Sequence, residues 1–214
     1  MQREDDPATT LAAVVTAAVQ LVPGAQEGSI TAVTGRRHVT NEAASGDLPR
    51  RVDALQQETG EGPCLDSAYE QETVRVDDMS TEQRWPTFAR RATEAGAGSM
   101  LSLQLFVSGD NLGALNLYGQ PGSFDDESEH VGLLFAAHAA IAYSAARREA
   151  QLLRAVGTRE LIGQAQGILM ERHRIPASEA FARLVVASQH RNVKLRQIAE
   201  ALIETGLTPG ATGR

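Results

Sequence analysis

Cysteine is almost absent from this chain of 214 residues. Cys64 stands alone, which excludes a disulfide scaffold and fits a reduced compartment. Long apolar runs are missing as well. The most apolar helical stretches, 11–22 and 131–146, fall short of the roughly 18 clean apolar residues of a membrane span. Glu4, Asp5 and Asp6 stand where a signal peptide would begin with basic residues, so a cytoplasmic protein without a membrane anchor is expected. Catalytic signatures are also lacking. His38, His130, His138, His173 and His190 have no metal-ligand spacing, and neither a G-x-x-x-x-G-K-S/T loop nor a G-x-S-x-G elbow occurs. The acidic runs Asp77-Asp78 and Asp125-Asp126-Glu127 lie at expected element ends, where helix capping is the commoner role. Cys64 reads as a small buried residue rather than a reactive thiol. No catalytic residue, metal site or cofactor is expected, and no internal repeat or low-complexity tract is present.

What is there is a globular composition, 42% hydrophobic and 22% charged, with a net charge of -7. That charge is unevenly spread. Residues 1–150 hold 11 Lys+Arg and 22 Asp+Glu, whereas residues 151–205 hold 8 and 5. An acidic body is therefore followed by a small basic segment, the one part of the chain whose charge suits nucleic acid.

Residues 8–146 read as an α+β domain, an antiparallel sheet flanked by helices. Thr9 or Thr10 caps a helix running to Val22, where Pro23-Gly24 stops it. Ser29–Val33 and His38–Asn41 pair around Thr34-Gly35. Helices are expected over Asp47–Gln57, Cys64–Glu70 and Arg84–Ala95, with a strand at Thr73–Val76. Ser99–Val107 and Leu112–Tyr118 form a hairpin across Ser108-Gly109-Asp110-Asn111, turn residues that tolerate positive φ. A helix then runs from Asp126 to about Arg154. Along it Leu133, Leu134, Ala137, Ala140, Ile141, Ser144, Ala145, Arg148, Leu152 and Val156 make a seam spaced by three and four. The first half of this seam can cover its own sheet. The stretch 147–156 lies beyond that sheet, and pairing with a second chain in a coiled-coil-like linker buries it most economically. Leu134, Ile141, Ala145, Leu152 and Val156 are the dimerisation candidates.

Residues 157–206 read as three helices, followed by a flexible tail, 207–214. Thr158 caps the first, to His173, with Leu161, Ala165, Ile168, Leu169 and Arg172 on its inner side. Pro176 opens the second, to His190, with Phe181, Leu184, Val185 and Ser188 inward. Asn192 caps the third, whose stripe is Leu195, Ile198, Ala199, Leu202 and Ile203. About 50 residues make a marginal core, so a partner surface is expected to help.

Two stretches carry a resemblance. Leu161-Ile162-Gly163-Gln164-Ala165-Gln166-Gly167-Ile168-Leu169-Met170-Glu171-Arg172, then Glu179-Ala180-Phe181-Ala182-Arg183-Leu184, Ser188 and Asn192-Val193-Lys194-Leu195-Arg196-Gln197-Ile198-Ala199, resembles the ANTAR (antitermination regulator) domain over all three helices. Glu61-Gly62-Pro63-Cys64-Leu65-Asp66, Arg84-Trp85-Pro86, Ser102-Leu103 and Leu112-Gly113-Ala114-Leu115-Asn116-Leu117-Tyr118 are similar to the GAF-type sensor that commonly precedes it. The resemblance implies a homodimeric regulator that binds paired stem-loops in nascent leader RNA and senses a signal through its GAF part. Small hairpin loops present splayed bases and close phosphates, and two tethered modules gain effective concentration on a tandem target.

On the first ANTAR-like helix Arg159, Gly163, Gln166, Gly167, Met170 and Arg174 share a face opposite the core stripe. Glycine there lets a backbone or base approach, Gln166 can pair with a base edge, and Met170 can pack on a base plane. Tight helix packing is the competing explanation for Gly163 and Gly167. Many ANTAR members have lysine where this chain has Gln166. Lys194 is the only lysine present, and with Arg191 and Arg196 it makes a basic cluster at the third helix's N-terminus; a solvated charge cluster is the alternative. Arg172, Arg183 and Ser188 are supporting candidates, although Ser188 can equally be a core hydroxyl bonded to backbone.

Rival readings are a DNA-binding regulator and a ligand sensor acting through a protein partner. Leu195–Leu202 can open a helix-turn-helix, but the motif needs a recognition helix after the turn, and Gly206-Leu207-Thr208-Pro209-Gly210 and the chain's end follow instead. The sensor's input is expected to be a small molecule between sheet and helices, lined by Trp85, Leu103, Leu105, Asn116 and Tyr118, with ordinary core packing of those residues as the alternative.

Overall fold

The computed structural model describes residues 7–35, 38–69, 72–107 and 110–206. Helix α1 (Pro7–Leu21) forms where Leu11, Val15 and Ala18 recur at helical spacing, and all three are buried with Val22 just beyond. Burying the larger of these side chains contributes about 1.5–3 kcal/mol each. Thr9 and Thr10, expected as caps, lie inside the helix. It starts instead at Pro7, whose fixed φ suits a first turn. Gly24 (φ 81) ends the segment, and a side chain there would collide with the Ser123 carbonyl oxygen.

Strands β1 (Glu27–Thr34) and β2 (His38–Ala44) follow, then α2 (Asp47–Thr59), α3 (Pro63–Tyr69), β3 (Thr73–Val76), a 3-10 turn (Met79–Thr81), α4 (Pro86–Ala95), β4 (Ser99–Val107) and β5 (Asp110–Gly119). The sheet runs β2-β1-β5-β4-β3 with every neighbouring pair antiparallel, the expected α+β class. The hairpin residues Ser108-Gly109, the expected helix end at Glu70 and the tail 207–214 lie outside the described residues.

The pleat gives this sheet two different faces. Ile30, Leu101, Leu103, Leu105, Leu115 and Leu117 form one core with Leu11, Val15 and Ala18 of α1 and with Ala136, Ala139 and Ala140 further along the chain. The other face carries Ser29, Thr31, Met100, Ser102, Asn116 and Tyr118, all buried. Apolar packing there comes from Val52, Val74, Val76, Met79, Trp85, Phe88 and Ala92. One face is therefore hydrocarbon, and the other is polar at its centre.

Helix α5 (Asp126–His173) is a single element of 48 residues. The expected break near Gly157-Thr158 does not occur. A helix-interior glycine costs only about 1 kcal/mol relative to alanine, and the good helix formers at 152–155 and 159–161 lie just beyond its immediate neighbours Val156 and Thr158. Thr158 is therefore not a cap. Along α5, Ala136, Ala139 and Ala140 turn toward the sheet, while Leu134, Ile141, Ala145, Leu152 and Val156 are exposed. The expected seam is thus two faces rather than one.

The chain divides into two compact units, residues 1–147 and 148–214. In the second, Ala165 and Leu169 of α5, Ala180 and Leu184 of α6 (Ala177–Arg191) and Ile198, Ala199 and Leu202 of α7 (Leu195–Thr205) make one core. Two assignments change here. Asn192 does not cap α7: it adopts the left-handed conformation (φ 53) and closes α6, donating its N–H to the Gln189 carbonyl at 3.2 Å, a geometry incompatible with an extended N-cap. Lys194 occupies the N-cap position of α7 without a side-chain cap. Phe181, expected inward, is 42% exposed, because α6 buries Ala180 and Leu184 instead.

Candidate functional site

Two groups of residues in this fold carry chemistry. The first lies on the polar face of the sheet, under α2 and α3. Val52, Asp53 and Gln56 are buried on α2, so its inner face is half polar. Asp53, only 3% exposed, accepts hydrogen bonds from Asn41 Nδ2 (2.6 Å), the Tyr118 hydroxyl (3.2 Å) and Asn116 Nδ2 (3.4 Å). Asn116 also donates to Thr31 Oγ1 (3.2 Å) and accepts from the Ser102 hydroxyl (2.6 Å), which sits 2.8 Å from Ser67 Oγ. Cys64 Sγ lies 2.9 Å from Thr31 Oγ1, and the Cys64 N–H donates to Gln56 Oε1 (2.8 Å). Among the described residues, the buried Gln56 Nε2 makes no hydrogen bond.

Burial dominates the electrostatics of this group. It pushes the Asp53 carboxyl up to about 6, against the opposing pull of the donors led by Asn41. The Cys64 thiol goes up to about 12, through burial and then the neighbouring Asp53 charge, and Tyr118 is raised in the same way. Cys64 is therefore a poor nucleophile. At pH 8 the folded chain should react with iodoacetamide about a thousandfold more slowly than a free thiol, and fully once unfolded in guanidinium. Rapid alkylation of the folded protein would contradict the burial described here.

Of the residues expected to line a ligand site, Asn116 and Tyr118 converge on Asp53. Trp85 packs in the same apolar cluster as Tyr118, its indole N–H donating to Asp66 Oδ2 (3.1 Å) and the Arg84 guanidinium lying 4.5 Å from its ring. Leu103 and Leu105 do not belong to the group. They point to the opposite face, toward α1 and α5, because Asn116 pairs with Ser102 and side chains alternate along a strand. No sequence motif singles out Asp53, although Val52, Asp53 and Gln56 make an inward-facing patch at spacings of one and three.

The second group belongs to the unit of residues 148–206. A side chain added at Gly163 or Gly167 would meet nothing within 4 Å, so tight helix packing does not explain either glycine. Both are exposed on α5, as is Met170 at 37%. Gln166 is half-buried, its Nε2 donating to the Ala177 carbonyl (3.1 Å). Several expected RNA-binding residues already have structural partners. The Arg172 guanidinium donates to the Gly206 carbonyl and so holds the end of α7. Ser188 Oγ donates to the Val193 carbonyl (2.6 Å) across the α6–α7 turn, the core role. Arg183 pairs with Glu179 (2.8 Å) and Arg196 with Glu200 (2.7 Å), each one helical turn apart. Arg174, Arg191 and Lys194 are exposed and make no ion pair among the described residues. Arg174 ends α5 in the left-handed conformation (φ 54).

Among the described residues no group of His, Cys, Asp and Glu could hold a metal ion, and no helix is long and apolar enough to cross a membrane. Comparison with family models matches residues 4–144 to the GAF domain and residues 150–203 to the ANTAR domain. Among solved structures, the chain is similar to the GAF domain of a phosphoenolpyruvate-protein phosphotransferase from Acinetobacter (TM-score 0.54, 17% identity, 70% of this chain and 89% of that one). It is also similar to the corresponding domain from Coxiella burnetii (TM-score 0.54, 20% identity, 70% and 89%). A third similar structure is the free methionine-R-sulfoxide reductase from Neisseria meningitidis in complex with its substrate (TM-score 0.53, 19% identity, 69% and 83%). At these identities the likeness concerns the fold. Comparison with curated proteins finds no match.

Proposed function

This chain belongs to the GAF domain family and carries an ANTAR domain after it, and on that premise we propose that it is an RNA-binding transcription regulator of the antitermination type. The observation that carries the reading is the pair Arg191 and Lys194, exposed and without acidic partners among the described residues, at the turn into α7 of the ANTAR domain. The helix N-terminus adds partial positive charge at the same place. Gly167 and Met170 on α5 offer an open approach for looped-out bases, with Gln166 and Arg174 beside them. Arg172, Arg183, Ser188 and Arg196 support this surface by holding its helices.

Two copies joined through the exposed α5 residues Leu134, Ile141, Ala145, Leu152 and Val156 bind two stem-loops in tandem, each module alone being weak. The GAF domain takes the input. A small polar ligand enters by competing for the hydrogen bonds that Asp53, Asn116 and Tyr118 make with one another. No catalytic step is assigned, and the protein acts in the cytoplasm, where nascent transcripts are.

The test begins with a pool of tandem RNA hairpins carrying randomised loops, selected against the full chain. The R191A/K194A double variant should bind the selected RNA at least tenfold more weakly. Its affinity should also fall less steeply with salt, by about one unit of log–log slope for each phosphate it no longer neutralises. Duplex DNA of the same sequence should bind much more weakly. Equal affinity of the double variant and the parent would show that this surface does not bind the RNA.

A further inference from the structure

A groove of about 540 Å³ runs between α5 and α6 of the ANTAR domain, lined by Arg154, Arg159, Ile162, Gln166 and Phe181 among others. Phe181 forms its aromatic wall. It is 42% exposed and stands outside the apolar cluster that holds the three helices together, so bundle packing does not explain an aromatic ring here. Ile162 packs partly on that cluster and makes the floor. Arg154 is held by its Nε donating to the Ala150 carbonyl (3.0 Å). Neither Arg154 nor Arg159 has an ion-pair partner among the described residues, and no carboxylate lines the groove. Gln166 uses its Nε2 on Ala177, which leaves its amide oxygen as an acceptor at the groove's edge.

An exposed aromatic face, two unpaired guanidinium groups and one hydrogen-bond acceptor are the elements that hold an unstacked nucleobase together with its flanking phosphates. We propose that this groove receives one looped-out base of the bound RNA, stacked on Phe181, with its exocyclic amine on Gln166 Oε1 and its neighbouring phosphates on Arg154 and Arg159. The assignment rests on the RNA-binding reading above and adds a second binding region to it, distinct from Arg191 and Lys194. The positive charge without acid around the aromatic wall favours this occupant over an apolar helix from a second copy.

The test uses the full chain and the RNA recovered by the hairpin selection, with each loop adenine replaced in turn by 2-aminopurine, which keeps the stacking face and moves the amine away from Gln166, so that it reads the stacking alone. In the parent, one position should be strongly quenched on binding, as a base stacked on an aromatic ring is. F181L keeps an apolar side chain of similar reach on α6. It should bind roughly tenfold more weakly, lose the quenching at that position and leave the salt slope unchanged. F181W should restore both affinity and quenching, whereas R154Q/R159Q should lower the salt slope. If the parent binds RNA and F181L binds it equally well with the same fluorescence, the groove assignment is wrong and the RNA-binding reading stands. If F181L instead dissociates a dimer in sedimentation, the groove is an interface between copies and the assignment is again wrong. If no hairpin RNA binds the parent, both readings fall together.

Discussion

Replacing Asp53 by asparagine is expected to stabilise the protein at pH 8. The Asp53 carboxyl is raised from 3.8 to about 6 by burial, so the folded state holds this proton more tightly than the unfolded chain does. The associated stability is fully present below pH 4 and is lost as the pH rises through about 6. Above pH 7 the fold holds a buried carboxylate whose donors, Asn41, Asn116 and Tyr118, offset its desolvation only in part. Asparagine keeps the shape and cannot ionise. At about 1.4 kcal/mol per unit of pKa, its gain at pH 8 is on the order of 2–3 kcal/mol. For a chain of this size that is a rise of several degrees in the first melting transition. At pH 4.5 parent and variant should melt within about a degree of each other. The groups facing Asp53 are the Cys64 thiol and the Tyr118 hydroxyl, both raised and neutral through this range, so no other titration masks the effect. A variant that melts below the parent at pH 8, or keeps the parent's pH dependence, would show that the carboxylate is well solvated.

The second large effect is expected at the exposed edge of α5. L152E/V156E introduces two charges where Leu152 and Val156 are 68% and 55% exposed, well outside the ANTAR core. Helix content should therefore be unchanged while a helix-to-helix pairing of two chains is broken. Sedimentation should turn from dimer to monomer. Affinity for a two-hairpin RNA should drop by about a hundredfold, while affinity for a single hairpin stays within a factor of two or so. A double variant that remains dimeric would place the pairing elsewhere. One that is monomeric yet binds the tandem RNA as tightly as the parent would remove the need for two copies.

Much of the architecture is legible in residue patterns, and the misses have physical causes. Thr73–Val76 announces itself through β-branched content, and the strands on either side of Ser108 through apolar or alternating runs joined by turn residues. Helix α7 is plain from a stripe at three and four, all of it packed in the core. Leu103 and Leu105 mislead because size alone suggests a ligand-lining role. Parity along β4 separates them from Ser102, and parity needs the register to be known. Phe181 looks like core because periodicity reports which side of a helix is apolar, not how much of that side a neighbour covers. Asn192 favours both an N-cap and a left-handed C-cap, and only the length of α6 decides between them. Arg172 and Ser188 have the chemistry of RNA-binding residues, but their hydrogen-bond partners lie 34 and 5 residues away, and no local pattern reveals which backbone carbonyl a side chain reaches.

The buried amide of Asn116 has an effect on the folding of the sheet itself. It stands on β5 between Leu115 and Leu117, which face the hydrocarbon side. Sliding β5 by one position against its neighbours would drive that amide in among the leucines and leave the Asp53 carboxylate facing methyl groups. An all-apolar central strand tolerates such a slip far more cheaply. The polar centre thus acts as an alignment key: it favours one register of β5 against β1 and β4 and penalises a near miss, even though hydrocarbon in its place would bind the layers more tightly.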